Sequence, residues 1–213
     1  MKRFADFLKE ELSKELPGTE VQWQMASSDR MVKNFPRTPG ADARVAAVLI
    51  LLYPINGLIH TVFMQRHDYD GVHGGQVSFP GGKQELSDRD IIHTAIREAE
   101  EETGADTSKI RIIGKLTPLF IPVSNMIVTP VVGIMDEKPV FNHRPEEVAF
   151  LFESEIKKLM DPSISKTKAF EIQGEMTNIK YFDNEGIVIW GATAMILHEL
   201  LTIIRRGEAF LPE

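Results

Sequence analysis

Residues 73–104 read HGGQVSFPGGKQELSDRDIIHTAIREAEEETG. Glycines and a proline crowd its first half, and Glu98, Glu100, Glu101 and Glu102 crowd the end of a helix-like run. Glycine punctuation ahead of a periodic segment predicts a turn feeding a helix. We read a short strand in QVSF and a helix over residues 88–103, opened by a capping pair at Ser87 and Asp90 and stopped at Gly104. Ile92, Ala95, Ile96, Ala99 and Thr103 share one face and pack on something apolar. Like charges one turn apart weaken a free helix by a few tenths of a kcal/mol per pair. At about 100° per residue, Glu98, Glu101 and Glu102 fall within an arc of about 100°, while Glu100 points away. Carboxylate oxygens fixed on such a face suit Mg²⁺ or Mn²⁺. A solvated acidic helix end is the alternative reading.

Upstream, ARVAAVLILLY predicts a buried strand, PING a turn, and LIHTVFMQR an antiparallel neighbour. Downstream, KIRIIGKL, MIVTPVVGIM and EVAFLFES are strand candidates, residues 154–160 a short helix, and KAFEIQGEMTNIKYFDNEGIVIW two or three short strands. GATAMILHELLTIIRRG closes the chain as an amphipathic helix with arginines in its last turn. Strands and helices mix without regular βαβ alternation, which predicts an α/β (α+β) sandwich around a mixed β-sheet. Residues 1–41 form an N-terminal helix, with Phe4, Phe7, Leu8 and Leu12 on one face, and an irregular, turn-rich extension; residues 42–213 form the main domain. That helix packs on the domain or against a second copy in a homodimer.

The 213 residues carry a formal net charge of −7, which argues against a nucleic-acid partner. An anionic small molecule is compatible with that charge when divalent cations lie between it and the protein. The chain has no cysteine, so thiolate chemistry and disulfides are excluded. The apolar run from Val45 to Tyr53 is about half of what a membrane span needs. The N-terminal residues lack the apolar core of a secretion signal, and a cytoplasmic protein is expected.

The segment GGKQELSDRDIIHTAIREAEEETGA resembles the signature of the Nudix hydrolases, through Gly82, Arg97, Glu98, Ala99, Glu101, Glu102, Gly104 and Ala105. Its first acid is Asp88, and eight residues rather than seven separate it from Arg97. That spacing, with HGGQVSFPGG, TPVVGI, EEVAFLFE and WGATA, is similar to the coenzyme A pyrophosphatase branch. Met64, His67 and Gly71 depart from that branch's upstream pattern, Gly71 standing where an arginine is usual.

The resemblance implies a Nudix-type α/β/α sandwich and Mg²⁺- or Mn²⁺-dependent hydrolysis of a diphosphate linkage. The implied substrate is coenzyme A or a derivative, cut to 3′,5′-ADP and 4′-phosphopantetheine. It implies Glu98 and Glu102 as metal ligands, Glu101 as a further ligand or base, and Arg97 as a clamp on a carboxylate of the cluster. Gly81 and Gly82 shape the loop at the substrate, and Arg66 binds phosphate or closes an ordinary ion pair. Glu98, Glu101, Glu146 and Glu147 stay open as general base, and His73 orders the glycine loop. Two other readings are carried alongside: a Nudix hydrolase for a dinucleotide, nucleotide sugar or ADP-ribose, and a non-catalytic Nudix-like sensor.

Overall fold

The computed structural model describes residues 1–27, 38–67, 75–146, 148–172 and 174–211. Its centre is β1 (Arg44–Ile55), whose alternate residues are buried on both faces of a sheet. Ala47, Leu49, Leu51 and Tyr53 join one apolar cluster, while Ala46, Ile50 and Leu52 join another. A strand buried on both faces reads as a continuous apolar run, as VAAVLILLY does.

Asn56 and Gly57, both with positive φ, turn the chain into β2 (Leu58–Arg66), which runs antiparallel to β1. The two strands stay paired only from Leu52 to Ile55 of β1 and then diverge. The fork is filled by residues 77–83. There, β3 (Val77–Ser78) pairs with β2, and β4 (Gly81–Lys83) pairs with β1 at Ala46–Val48. The sequence reading found β3 but took the two glycines of FPGG for a turn. They are strand residues, invisible to pattern because they carry no side chains to alternate. Phe79, 1% exposed, lies between the two short strands with its ring centroid 4.7 Å from that of Phe63. Removing such a ring costs about 3–5 kcal/mol, so it pins the segment in the fork.

On the other side of β1 lies β7 (Met126–Ile134) in parallel register, flanked by β5 (Arg111–Lys115) and β6 (Leu119–Ile121). β8 (Val148–Glu155) covers the outer edge of β2. A second antiparallel sheet contains β9 (Ser165–Ile172), β10 (Glu175–Asn184) and β11 (Ile187–Trp190).

Five α-helices complete the described fold: α1 (Lys2–Leu12), α2 (Gly18–Trp23), α3 (Ile91–Thr103), α4 (Ile156–Leu159) and α5 (Gly191–Arg205). α3 lays Ala95 and Ala99 on the Leu49 face; α1, α5 and Trp23 of α2 cover the other, with Phe4, Leu8, Met195 and Leu200 in one cluster. The result is a mixed sheet between helical layers, an α/β/α sandwich. α2 lies where only turns were expected, because Gly18 and the polar residues around it hide its short periodicity. α3 begins at Ile91 rather than residue 88. Its cap is Asp90, whose carboxylate accepts the His93 N–H at 2.8 Å, and not Ser87.

Candidate active site

Close approach is what the glycines of β4 permit. A Cβ on Gly81 would collide with the carbonyl of Ala47 across the strand pair. One on Gly82 would lie 2.5 Å from the Glu98 carboxylate. With neither present, α3 settles against β4, and the Gly81 N–H donates to Glu102 Oε2 at 2.7 Å.

Asp88 organises the start of this region. Its fully buried carboxylate accepts the Arg97 Nε and Nη2 hydrogens, each at 3.0 Å. It also accepts the Glu85 N–H at 2.9 Å and the Thr94 hydroxyl at 3.0 Å, and pairs with His93 Nδ1 at 2.8 Å. Arg97 foremost holds this carboxyl well below the usual carboxylate range. The same guanidinium extends Nη1 to Glu98 Oε1 and Glu101 Oε2, both at 3.1 Å, and Nη2 to the Lys83 carbonyl at 3.1 Å. Arg97 is therefore a hub with Asp88 behind it and two carboxylates in front. Its own pKa is pushed further up, chiefly by Asp88.

Burial pushes the Glu98 carboxyl up, against the opposing pull of Arg97. Arg66, at the end of β2, donates from Nη2 to the Gly81 carbonyl at 3.2 Å and stands 3.7 Å from Glu102 Oε1. Glu100 is exposed and accepts from Thr107.

Among the described residues, no three acidic or imidazole side chains converge as a ready cation cage. Arg97 draws Glu98 and Glu101 to itself, and the Gly81 N–H draws Glu102 to the strand. The expected metal ligands therefore share one helix face but are held to separate partners and do not form a preformed cluster. Their chemistry fits a hard divalent cation. The donors are carboxylate oxygens on one helix face, and Glu98, whose charged form burial disfavours, gains from an added positive charge.

Glu98, Glu102, Gly81, Gly82 and Arg66 border a cavity of about 800 Å³, which Arg44, Ser124, Met126 and Ile196 also line. Glu146 is exposed and outside that lining. Glu147, Gly71 and His73 lie outside the described residues. Sequence reasoning missed His93 and Thr94 as braces of Asp88, since a lone imidazole and hydroxyl on a helix carry no pattern. It also missed the cavity residues of β6 and β7, which are ordinary apolar strand positions.

A family profile described as the NUDIX domain matches residues 43–171. The chain is 35% identical over 176 residues to "Nudix hydrolase 22, chloroplastic" of Arabidopsis thaliana, covering 79% of this chain and 58% of that protein. It is 34% identical over 184 residues to the uncharacterized Nudix hydrolase NudL of Yersinia pestis, covering 84% of this chain and 88% of the relative. In fold, it is similar to a Nudix hydrolase from M. smegmatis, RenU, with a TM-score of 0.50 at 16% identity over 79% of this chain and 88% of that one. A MutT/nudix family protein from Enterococcus faecalis has the same TM-score, 0.50, at 12% identity over 91% of this chain and 76% of that one.

Proposed function

The chain belongs to the Nudix hydrolase family, and from that premise we propose that it cleaves the diphosphate of coenzyme A or a derivative. The products are 3′,5′-ADP and 4′-phosphopantetheine. The observation that carries this reading is one cavity in which Glu98 and Glu102 of α3 meet Arg66 and a mixed wall that includes Val48, Ile121, Met126, Val128 and Ile196. The HGGQVSFPGG flank and the eight-residue spacer after Asp88 support the coenzyme A branch.

In this reading Glu98 and Glu102 hold Mg²⁺ or Mn²⁺, with Glu101 as a further ligand or proton acceptor. When bound, the cation neutralises diphosphate charge and lowers the pKa of the attacking water. Arg97 keeps Glu98 and Glu101 on one side of α3, and Asp88 keeps Arg97 there. Arg66, already directed at the Gly81 carbonyl, lends its charge to a phosphate oxygen beside Glu102. Gly81 and Gly82 let the diphosphate approach the backbone closely. The base role falls to the α3 cluster rather than to Glu146, whose exposed carboxylate is not part of the cavity.

Product analysis with coenzyme A and either metal tests the proposal. Glu98→Gln and Glu102→Gln should each lower kcat by roughly 10²–10³-fold or more while leaving the unfolding midpoint in place. Wild-type turnover that survives exhaustive chelation would sink the metal role. A second reading, another nucleoside-diphosphate derivative, is favoured by Gly71 at a position where the branch carries arginine. It wins if ADP-ribose or a diadenosine polyphosphate outranks coenzyme A in kcat/KM.

A further inference from the structure

The cavity is far longer than a diphosphate, and its two ends differ in chemistry. The carboxylates and Arg66 stand at β4; from there the sheet runs through β1 and β7 to β6. Three inter-strand steps at about 4.8 Å make roughly 14 Å of floor. The strand registers align Ala46 with Val128, and Arg44 with Met126 and Ile121, so these side chains share the face that α5 covers. Ile196 of α5 forms the wall above, and Val123, 53% exposed, stands at the rim. A half-exposed valine beside a partly buried methionine leaves apolar surface toward the opening.

The acids that line the cavity, Glu85, Glu98 and Glu102, lie just after β4 and on α3, Glu85 close enough to Glu98 to repel it; toward β6 and β7 the lining adds only the neutral polar Ser124 and Asn125, and Arg44 donates to the Ser124 carbonyl at 2.6 Å. A cationic ligand therefore finds no partner there. Among the described lining residues the only aromatic ring is Phe79, which is 1% exposed, so no ring face is offered to a base.

We propose that the β6–β7 end of the cavity binds an uncharged, flexible apolar chain carried on the far side of the diphosphate, and that Val123, Met126 and Ile121 set the preference for its length. The proposal rests on the preceding reading in placing the diphosphate at the α3 carboxylates. It does not require the chain to be that of coenzyme A.

Alkyl esters of ADP, from ethyl to octyl, separate the two. With wild-type protein, kcat/KM should rise roughly three- to fourfold per added methylene until the floor is filled. Val123→Asp, a rim substitution that leaves the core untouched, should flatten that rise, and Met126→Gln should flatten it independently. A wild-type series that is flat, falling or without turnover overturns the proposal. So does a rise that both variants leave intact. If coenzyme A is not cleaved while the alkyl series rises, the earlier reading fails and the apolar subsite stands.

Discussion

Among the buried carboxylates of the described residues, Asp88 and Glu199 are held by opposite means. Asp88 faces the guanidinium of Arg97 and is braced by Thr94, His93 and a backbone N–H. Glu199, on α5 and 0% exposed, accepts from three neutral donors: the Gly18 N–H at 3.0 Å, Gln22 Nε2 at 2.8 Å and the Thr117 hydroxyl at 2.6 Å. A buried acid bound to an internal cation passes its position on to whatever else that cation touches, here Glu98 and Glu101. One bound only to neutral donors fastens elements together, here α2 and the β5–β6 connection to α5. The first acid positions side chains of the candidate site through a chain of contacts; the second ties elements of the fold together.

The sharpest way to break that contrast is Asp88→Ala, which strands Arg97 beside a lost partner. Stability should fall by about 3–5 kcal/mol, read from urea unfolding, and turnover under folding conditions should fall with it because Glu98 and Glu101 lose their shared anchor. The pH profile sharpens the point. The folded-state pKa of Asp88 is depressed, so its stabilisation is present above the ordinary carboxylate pKa of about 3.9 and is lost as pH falls through and below that value. Wild type should lose stability from about pH 5 to about pH 3 more steeply than Asp88→Asn; equal slopes would remove Asp88 from the account.

Glu199→Gln comes next in size. An amide keeps one acceptor oxygen where the carboxylate had two, so Gly18 N–H, Gln22 and Thr117 can no longer all donate to residue 199 and at least one bond is lost or reversed, at about 1–3 kcal/mol. The metal dependence of turnover should be unchanged; a changed one would erase the distinction between the two acids. Thr94→Val is the smallest effect, about 1 kcal/mol, since Arg97 and the Glu85 N–H remain on Asp88. Calorimetric unfolding of the variant against wild type resolves it, and a loss as large as that of Asp88→Ala would mean that Arg97 is not the main partner.

How much of this was legible in the sequence differs by kind of signal. Strands with side-chain alternation or continuous apolar runs, such as β1, β2 and β7, stand out, as does the turn at Asn56 and Gly57. β4 does not, because glycine has no face to show. The expected helix starts three residues earlier than α3 does, since Ser87 is by type as good a cap as Asp90 and only the fold binds Asp88 to Arg97 ahead of the helix. The spacing of Glu98, Glu101 and Glu102 puts them on one helical arc, but it does not reveal that Arg97 pulls two of them away from the third. Side-chain position within the arc is decided by a guanidinium whose reach depends on β4 being close. The apolar end of the cavity has no linear pattern at all, being assembled from β6, β7 and α5 across distant stretches of chain.

The fork between β1 and β2 has a mechanical consequence. The Leu49 N–H donates to the Pro80 carbonyl at 2.8 Å, and the Arg66 N–H donates to the Gln76 carbonyl at 3.1 Å. Residues 76–81 are therefore stitched to both prongs, and Glu102 is stitched to them in turn. Freeing the segment means tearing ladder bonds from the central strand, so opening of the reaction centre is coupled to opening of the sheet itself. A loop composition that elsewhere signals the softest part of a protein should here show the slow amide exchange of the core strands to which it is bonded.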